Sequence, residues 1–248
     1  MSGFGQAVAL LTRIPVSTRP SDLSSAVAWL PVVGAGVGAV IGGVYVGLSY
    51  LVPGLAAAGI ALTVGLLLTG GFHEDGLADA ADALGASSPQ HAMEIMKDPH
   101  HGTFGVVAVS LSLLIRAGAM AAMGGWAALG SLVAAHALSR GAAVGVLAAL
   151  RPADADGLGS AYAAGLRRTA AASGYLAAVI LGAAGLGLWV VPAVLMTVVT
   201  AVVTAGVASR RFGGMTGDVL GATQQLSETG ILLLTAGVAS AGLPVPAW

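Results

Sequence analysis

The stretch GGFHEDGLADAADAL, which runs from Gly70 to Leu84, introduces charge abruptly into an apolar chain. The preceding residues 23–72 contain no Asp, Glu, Lys, Arg or His. On an α-helix, with about 100° between successive residues, Asp75, Asp79 and Asp82 fall within about 60° of one another. The stretch therefore predicts a helix that carries three carboxylates on one narrow face.

Three carboxylates on one helix face predict a metal site. Each like-charged pair one turn apart costs roughly 0.2–0.5 kcal/mol, and a divalent cation removes that cost. Hard oxygen ligands suit Mg²⁺, which is typically held by one or two carboxylates together with substrate phosphates. We therefore predict that Asp75, Asp79 and Asp82 bind Mg²⁺. The alternative, a solvated acidic helix end, is disfavoured because the rest of this helix is apolar.

The composition is that of a polytopic membrane protein. Hydrophobic residues make up 56% of the 248 residues, charged residues make up 8%, and the mean hydropathy is +0.90. Soluble domains carry about 25% charged residues. Since about 20 apolar residues cross a bilayer, we predict an all-α transmembrane bundle of about seven spanning helices. A short N-terminal interfacial helix precedes them, and residues 1–248 form a single domain.

Composition also bounds the partners. The net charge of −1 gives no indication of nucleic-acid binding, and the absence of Cys excludes disulfides and thiolate metal sites. The first predicted span repeats glycine every four residues at Gly34, Gly38 and Gly42. Small residues at this spacing let helix backbones approach closely in lipid. They predict tight packing and permit a homo-oligomer without requiring one.

Charge placement predicts the topology. With a cytoplasmic N-terminus, the polar segments 73–103, 151–170 and 210–228 all emerge on the same side. The basic residues outside the spans lie on that side: Arg13, Arg19, Lys97, Arg151, Arg167, Arg168, Arg210 and Arg211. By the positive-inside rule, we expect a multi-pass protein of the cytoplasmic (inner) membrane. The N-terminus and the candidate site then face the cytoplasm.

A second motif, near residue 213, predicts a phosphate seat. Two arginines precede a glycine-rich turn that opens into a helix near Thr216 or Gly217, and helix N-termini favour anions. The predicted phosphate-binding residues here are Arg210, Arg211, Gly213, Gly214, Thr216 and Gly217. The alternative is a basic membrane anchor with a flexible turn. Asp218 supplies a further carboxylate, and the last span is expected from about Gly230.

Several other charged residues are candidates. Asp98 ends a predicted short helix before Pro99. Arg140 lies inside a predicted span, where an ionisable group is a functional candidate by default; we assign it to substrate phosphate, with internal pairing to a carboxylate as the alternative. The roles of the remaining groups stay open. For Arg116, phosphate binding and internal pairing are equally favoured. His136 is interpreted as a hydrogen-bonded core residue, and the adjacent His100 and His101 are interpreted as solvated rather than metal-bound.

Carboxylates, Mg²⁺ and arginines beside a glycine turn together indicate phosphoryl or nucleotidyl transfer. In such reactions the metal neutralises phosphate oxygens and the protein mainly positions the groups. The residues alone thus predict a membrane enzyme acting on a phosphate ester or a pyrophosphate.

Motifs along almost the whole chain resemble those of the adenosylcobinamide-GDP ribazoletransferase (cobalamin synthase) family. They are Leu11-Thr-Arg-Ile-Pro15, Trp29-Leu-Pro-Val-Val-Gly34, Gly70-Gly-Phe-His-Glu-Asp-Gly-Leu-Ala-Asp-Ala-Ala-Asp82, Met93-Glu-Ile-Met-Lys-Asp98, Gly102-Thr-Phe-Gly105, Ser139-Arg-Gly-Ala142 and Gly213-Gly-Met-Thr-Gly-Asp-Val-Leu-Gly-Ala222. The acidic motif and the Gly-Asp motif are the specific ones. The chain departs from the family at Pro99-His100-His101, where Ser and Arg are common, and at Gln225, where some relatives carry an acidic residue.

The resemblance implies assembly of the lower ligand of cobalamin. A hydroxyl of α-ribazole, or of α-ribazole 5′-phosphate, attacks the cobinamide-linked phosphorus of adenosylcobinamide-GDP. GMP leaves, and adenosylcobalamin or its 5′-phosphate forms. The family is Mg²⁺-dependent and lies in the cytoplasmic membrane. In this setting we assign catalytic roles to Asp98 and Asp218, one of which completes the metal shell or accepts the proton of the nucleophile.

Two alternatives remain. A CDP-alcohol phosphotransferase is disfavoured because Asp75-Gly-Leu-Ala is followed by Asp79, where that family's signature has Arg. An ion-coupled transporter is disfavoured because its carboxylates belong at mid-membrane depth, whereas these aspartates are expected at one mouth of the bundle.

Overall fold

The computed structural model describes residues 3–17, 23–154 and 157–246. It is 81% helical, and within the described ranges the only β-type pairing is one isolated parallel bridge between Pro152 and Met215. The predicted all-α fold is confirmed.

The described chain contains eleven α-helices. They are α1 (Gly3–Leu11), α2 (Leu30–Ser49), α3 (Gly54–Thr69), α4 (Phe72–Ala83), α5 (Pro89–Met96), α6 (Thr103–Ala122), α7 (Gly125–Ala149), α8 (Leu158–Ala163), α9 (Arg168–Leu186), α10 (Val190–Val207) and α11 (Gly217–Ser240). Short 3₁₀ turns, Leu23–Trp29 and Gly187–Trp189, precede α2 and α10, and a π-helical turn, Ala208–Phe212, follows α10.

Four segments of the described chain are long and apolar enough to cross a membrane. They are Ser24–Ser49, Thr103–Ala122, Gly125–Ala149 and Arg168–Phe212, and α3 with α4 makes a fifth if that bent pair counts as one span. The last of the four contains both α9 and α10, so the count of seven spans stays a prediction. The final helix begins at Gly217, because Thr216 caps it, and the polar residues after it face the protein interior. The last span from about Gly230 stays a prediction.

Close packing of α2 on α7 uses the predicted glycine stripe. A Cβ atom at Gly34 would lie 2.6 Å from the His136 carbonyl oxygen, and one at Gly42 would lie 2.8 Å from the Leu129 Cα. At Gly38 the backbone of Leu132 occupies the same space. The packing role of these glycines is confirmed, and it seats α7 in the middle of the bundle.

A sharp turn separates α4 from α3. Gly70 and Gly71 adopt φ of 72° and 69°, which glycine reaches without steric cost, and the two helix axes differ by 91°. We therefore treat α4 as lying outside the spans. It crosses α11 where Gly76 meets Gly221: a Cβ at Gly76 would lie 3.0 Å from the Asp218 Cα. This crossing brings the acidic helix to the start of α11.

The three polar segments meet at one end of the bundle, as the topology predicts. Arg211 donates to the Leu84 carbonyl at 2.7 Å. Lys97 pairs with Asp154 at 2.7 Å. The Met215 amide donates to the Arg151 carbonyl at 2.9 Å. The end of the bundle that carries these contacts therefore holds every predicted site residue outside the spans; Arg19 lies outside the described residues.

Candidate active site

The centre of the site is a cluster of two aspartates and one histidine. His101 Nε2 lies 3.5 Å from Asp75 Oδ1, and His101 Nδ1 lies 3.3 Å from Asp79 Oδ1. One potential ligand atom from each residue lies within 4.8 Å of the others. The Asp79 side chain is 13% exposed, whereas those of His101 and Asp75 are 40% and 61% exposed. The cluster is therefore accessible from outside on one flank.

Asp82 explains how His101 reaches the acidic helix. The Asp82 carboxylate accepts hydrogen bonds from the backbone N–H groups of Gly102 at 2.7 Å and Gly105 at 2.9 Å. It thereby caps the N-terminus of α6 from a neighbouring helix. A Cβ at Gly102 would lie 2.6 Å from Asp82 Oδ1, so the glycines leave room for the approach. The loop before α6 is held against α4, and His101 falls beside Asp79.

This geometry changes the predicted metal set. Asp75 and Asp79 come together as predicted, but His101 rather than Asp82 joins them. The helix-face argument missed this because it counted only residues of α4 and could not register the backbone amides that Asp82 satisfies. A metal role for Asp82 stays a prediction, and its hydrogen bonds give it a structural role that needs no metal.

Asp218 approaches the same cluster from α11. The Thr216 hydroxyl accepts from the Val219 amide at 3.2 Å and caps this helix, so the predicted helix start is confirmed. Burial, followed by the negative charges of Asp75 and Asp218, raises the pKa of Asp79 to about 6. Burial and like charge thus both disfavour the ionised form of Asp79.

Asp98 lies apart from this arrangement. It is exposed, and it accepts from the His100 backbone amide at 2.9 Å and contacts His100 Nδ1 at 2.8 Å. These hydrogen bonds lower the pKa of Asp98. Of the two predicted catalytic carboxylates, Asp218 is the one that the fold places beside Asp75 and Asp79.

The predicted phosphate seat at the glycine turn is largely closed. The amides of Gly213 and Gly214 both donate to the Ala208 carbonyl, and a Cβ at Gly214 would lie 2.6 Å from the Arg151 carbonyl oxygen. These amides form hydrogen bonds within the turn itself. The prediction that the backbone of Gly213 and Gly214 binds phosphate is therefore corrected. Thr216 is buried as a cap, and Gly217 begins α11 at the edge of a cavity.

The two arginines before this turn differ. Arg211 donates to the carbonyls of Leu84 and Ala86, at 2.7 and 3.3 Å, and so stabilises the end of α4. Arg210 is exposed. The structure gives Arg211 a structural role, and phosphate binding by either arginine stays a prediction.

Arg140 belongs to a buried polar network rather than to the accessible site. It donates to Glu228 at 2.9 Å, and Arg116 donates to Glu228 at 2.8 Å and to Glu74 at 3.1 Å. His136 Nδ1 lies 2.8 Å from Arg140 Nη1, so its reading as a hydrogen-bonded core residue is confirmed. All of these side chains except that of Glu74 are almost fully buried.

The structure contains the internal pairing, which was the alternative interpretation for Arg140 and one of two equal interpretations for Arg116. The partner was not apparent from the sequence because Glu228 lies 88 residues from Arg140. The predicted phosphate role of Arg140 is therefore corrected to an ion pair. Two carboxylates and two guanidinium groups balance within this network.

Two cavities flank Asp75. The larger, of about 780 Å³, is lined by Arg13, Glu74 and His101 among others. The smaller, of about 180 Å³, is lined by Lys97, Thr216 and Asp218 and by several methionines. Asp75 and its neighbour Phe72 line both cavities.

Sequence reasoning missed two residues of the larger cavity. His101 was interpreted as solvated, although it directly precedes the motif Gly102-Thr-Phe-Gly105, and this position could have indicated a place in the site. Arg13 was read only as a topological charge, although it lies within Leu11-Thr-Arg-Ile-Pro15. Its amide donates to the Leu68 carbonyl at 2.7 Å, and its guanidinium lies against Gly70.

The protein is a bundle of apolar helices of the kind found in membranes. An acidic site lies at one end of the bundle, and two cavities there share Asp75. The comparisons make the class specific. A family model described as cobalamin-5-phosphate synthase matches residues 3–236. The chain belongs to this family of transferases.

Named relatives agree with this assignment. Proteins named adenosylcobinamide-GDP ribazoletransferase include one from Bradyrhizobium diazoefficiens, 37% identical over 93% of this chain and 91% of the relative. Another, from Chlorobaculum tepidum, is 37% identical over 95% of each chain. A third, from Brevibacillus brevis, is 34% identical over 96% of this chain and 98% of the relative. No solved structure matches the chain.

Proposed function

We propose that this chain joins adenosylcobinamide-GDP to α-ribazole, or to α-ribazole 5′-phosphate, in a Mg²⁺-dependent reaction that releases GMP. The family and the names of its members supply the reaction class. The observation that carries the proposal to particular residues is the cluster of Asp75, Asp79 and His101, whose Asp75 lines both cavities.

The residues of this cluster fit a divalent cation. Two carboxylates supply hard oxygen ligands, and the uncompensated charge of Asp75, Asp79 and Asp218 favours a cation over a neutral ligand. The exposed flank leaves room for water and substrate oxygens, which Mg²⁺ characteristically retains. His101 adds a nitrogen donor or orients Asp79 by hydrogen bonding. A bound Mg²⁺ would polarise the phosphate and neutralise charge that develops on its oxygens.

The chemical step is a substitution at phosphorus. A hydroxyl oxygen of the ribazole forms a bond to the cobinamide-linked phosphorus, and the bond from that phosphorus to the GMP oxygen breaks. The hydroxyl proton goes to a carboxylate, and GMP leaves with the bonding electron pair. We assign the proton acceptor to Asp218 rather than Asp98, because Asp218 lines a cavity with Asp75 whereas hydrogen bonds from His100 lower the pKa of Asp98.

Positive charge for the diphosphate is available on the larger cavity. Arg13 lines it together with His101 and Asp75, and an arginine suits phosphate oxygens because its planar donors bind them bidentately. We therefore propose Arg13 as a phosphate-binding residue, with the exposed Arg210 as a second. Both lie at the end of the bundle where the polar segments meet.

The same end of the bundle is proposed to face the cytoplasm. The basic residues outside the predicted spans concentrate there, which satisfies the positive-inside rule in a multi-pass protein of the cytoplasmic membrane. The bilayer is then a partner of the fold, and both polar substrates reach the site from the aqueous side.

Turnover by the purified protein in lipid vesicles tests the proposal. The assay contains adenosylcobinamide-GDP and α-ribazole, with Mg²⁺ or with a chelator, and follows GMP and the cobalamin product by chromatography. Equal amounts of GMP and cobalamin, formed only with Mg²⁺, are expected. GMP without cobalamin would indicate hydrolysis, and equal turnover with the chelator would contradict the metal assignment.

A further inference from the structure

The two cavities that meet at Asp75 differ in size and lining. We infer that they separate the two reactants, and that the smaller, methionine-lined cavity (Phe72, Met93, Met96, Met215, Thr216 and Asp218) binds the aromatic nucleoside. The inference rests on the proposed function and adds to it the place of the attacking substrate.

The apolar side of the methionine-lined cavity suits a planar aromatic base. Met93, Met96 and Met215 contribute three thioethers to the wall of this cavity, and Phe72 adds a ring. Thioether sulfur contacts aromatic rings favourably, and the unbranched side chain adapts to the shape of its ligand. A benzimidazole-like base gains from these contacts, whereas a phosphate group would gain nothing from this wall.

The polar groups that line the same cavity suit the ribose. Asp218 and Thr216 lie at the start of α11, and Lys97 lies near the opening in an ion pair with Asp154. A base seated among the methionines leaves its sugar hydroxyls toward the carboxylates. Asp218 lines this cavity and is not among the residues that line the larger one. The proposed proton acceptor therefore lies on the side of the nucleophile.

The larger cavity suits the other reactant. At about 780 Å³ against about 180 Å³, it is the one with room for the bulkier diphosphate substrate. Its lining also supplies a guanidinium group for the diphosphate, since Arg13 lies there. Because Asp75 lines both cavities, the nucleophile and the phosphorus would meet beside it.

A pair of matched filling substitutions tests this separation. Ser160→Phe puts a ring into the methionine-lined cavity, and Ser110→Phe puts the same ring into the larger cavity. We expect Ser160→Phe to raise the KM for α-ribazole at least tenfold while the KM for adenosylcobinamide-GDP stays within twofold. Ser110→Phe should give the reverse. Each variant is the folding control for the other.

Binding without turnover gives an independent readout. Equilibrium dialysis of radiolabelled α-ribazole, with protein in vesicles and no second substrate, should show a Kd that rises with Ser160→Phe and is unchanged by Ser110→Phe. If the wild-type enzyme turns over but Ser110→Phe alone weakens ribazole binding, the assignment of the cavities is reversed and the inference fails. If the wild type shows no turnover with either ribazole, the proposed function fails instead.

Discussion

Two groups of charged residues lie beside α4, and they differ in burial and in charge balance. In the buried network, Glu74 and Glu228 face Arg116 and Arg140, and the formal charges cancel. In the second group, called the exposed cluster because one flank is open to solvent, Asp75 and Asp79 lie near Asp218 and contact His101. Glu74 and Asp75 are adjacent in sequence, yet they belong to different groups.

The difference indicates which charged residues stabilise the fold and which are available to bind a ligand. A buried ion pair stabilises only while it is complete, because removing one partner leaves an uncompensated charge in a medium of low dielectric constant. An exposed acidic cluster costs stability by itself and gains it when a cation binds. We therefore expect the network to control stability and the cluster to control turnover.

The largest effect should follow Asp79→Asn in the exposed cluster. The substitution removes a proposed metal ligand while keeping the shape of the side chain, and metal stabilisation of a phosphoryl transition state is worth several kcal/mol. We expect kcat to fall by about 10³-fold or more, equivalent to about 4 kcal/mol. The vesicle assay measures it. Glu94→Gln, which makes the same chemical change at an exposed position of α5, should leave kcat within twofold.

A different loss should follow Glu228→Gln in the buried network. Arg116 and Arg140 would then lose their shared carboxylate, and breaking a buried pair in this way costs about 3 kcal/mol. Thermal unfolding in detergent, followed by loss of helical signal, should show a lower Tm. The double variant Glu228→Gln with Arg140→Gln should recover part of the loss, and no recovery would argue that the pairing contributes nothing.

Asp82→Ala tests whether Asp82 has a structural role or belongs to the metal site. If Asp82 serves as a cap of α6, its loss removes two hydrogen bonds and costs about 1–2 kcal/mol of stability. The concentration of Mg²⁺ needed for half-maximal turnover should change by less than about threefold. A rise of that concentration well beyond threefold would return Asp82 to the metal site.

The smallest effect should come from the crossing of α4 and α11. Gly76→Ala places a methyl group 3.0 Å from the Asp218 Cα, and overpacking at such a contact costs about 1 kcal/mol. Because the crossing aligns Asp75 with Asp218, we expect turnover to fall by about tenfold at saturating Mg²⁺. Gly43→Ala in α2, where a Cβ meets open space, is the matched control and should be neutral.

Features governed by local pattern were predictable from the sequence. Apolar runs indicated the helices, the glycine stripe indicated the packing of α2, and the spacing of Asp75 and Asp79 indicated their shared face. The start of α11 followed from its capping residue, Thr216. Each of these depends on neighbours within about two helical turns.

Features governed by contacts between distant segments were not predictable in the same way. His101 joins Asp79 because Asp82 holds the loop before α6, and Arg140 pairs with a glutamate on another helix. A single buried charge indicates that a partner exists, but several carboxylates of this chain fitted the role equally well. At the glycine turn, the distant contact is that of the Arg151 carbonyl oxygen, which fills the space beside Gly214.

Direct measurement of metal binding tests the central claim, that the exposed cluster and not the buried network holds the cation. Mn²⁺, whose electron paramagnetic resonance signal is lost on binding, can be titrated into the purified protein with Mg²⁺ as competitor. We predict that Mg²⁺-competable Mn²⁺ binding is present in the wild type, is lost in Asp79→Asn, and is retained in folded Glu228→Gln. Unchanged Mn²⁺ binding in Asp79→Asn would contradict the account.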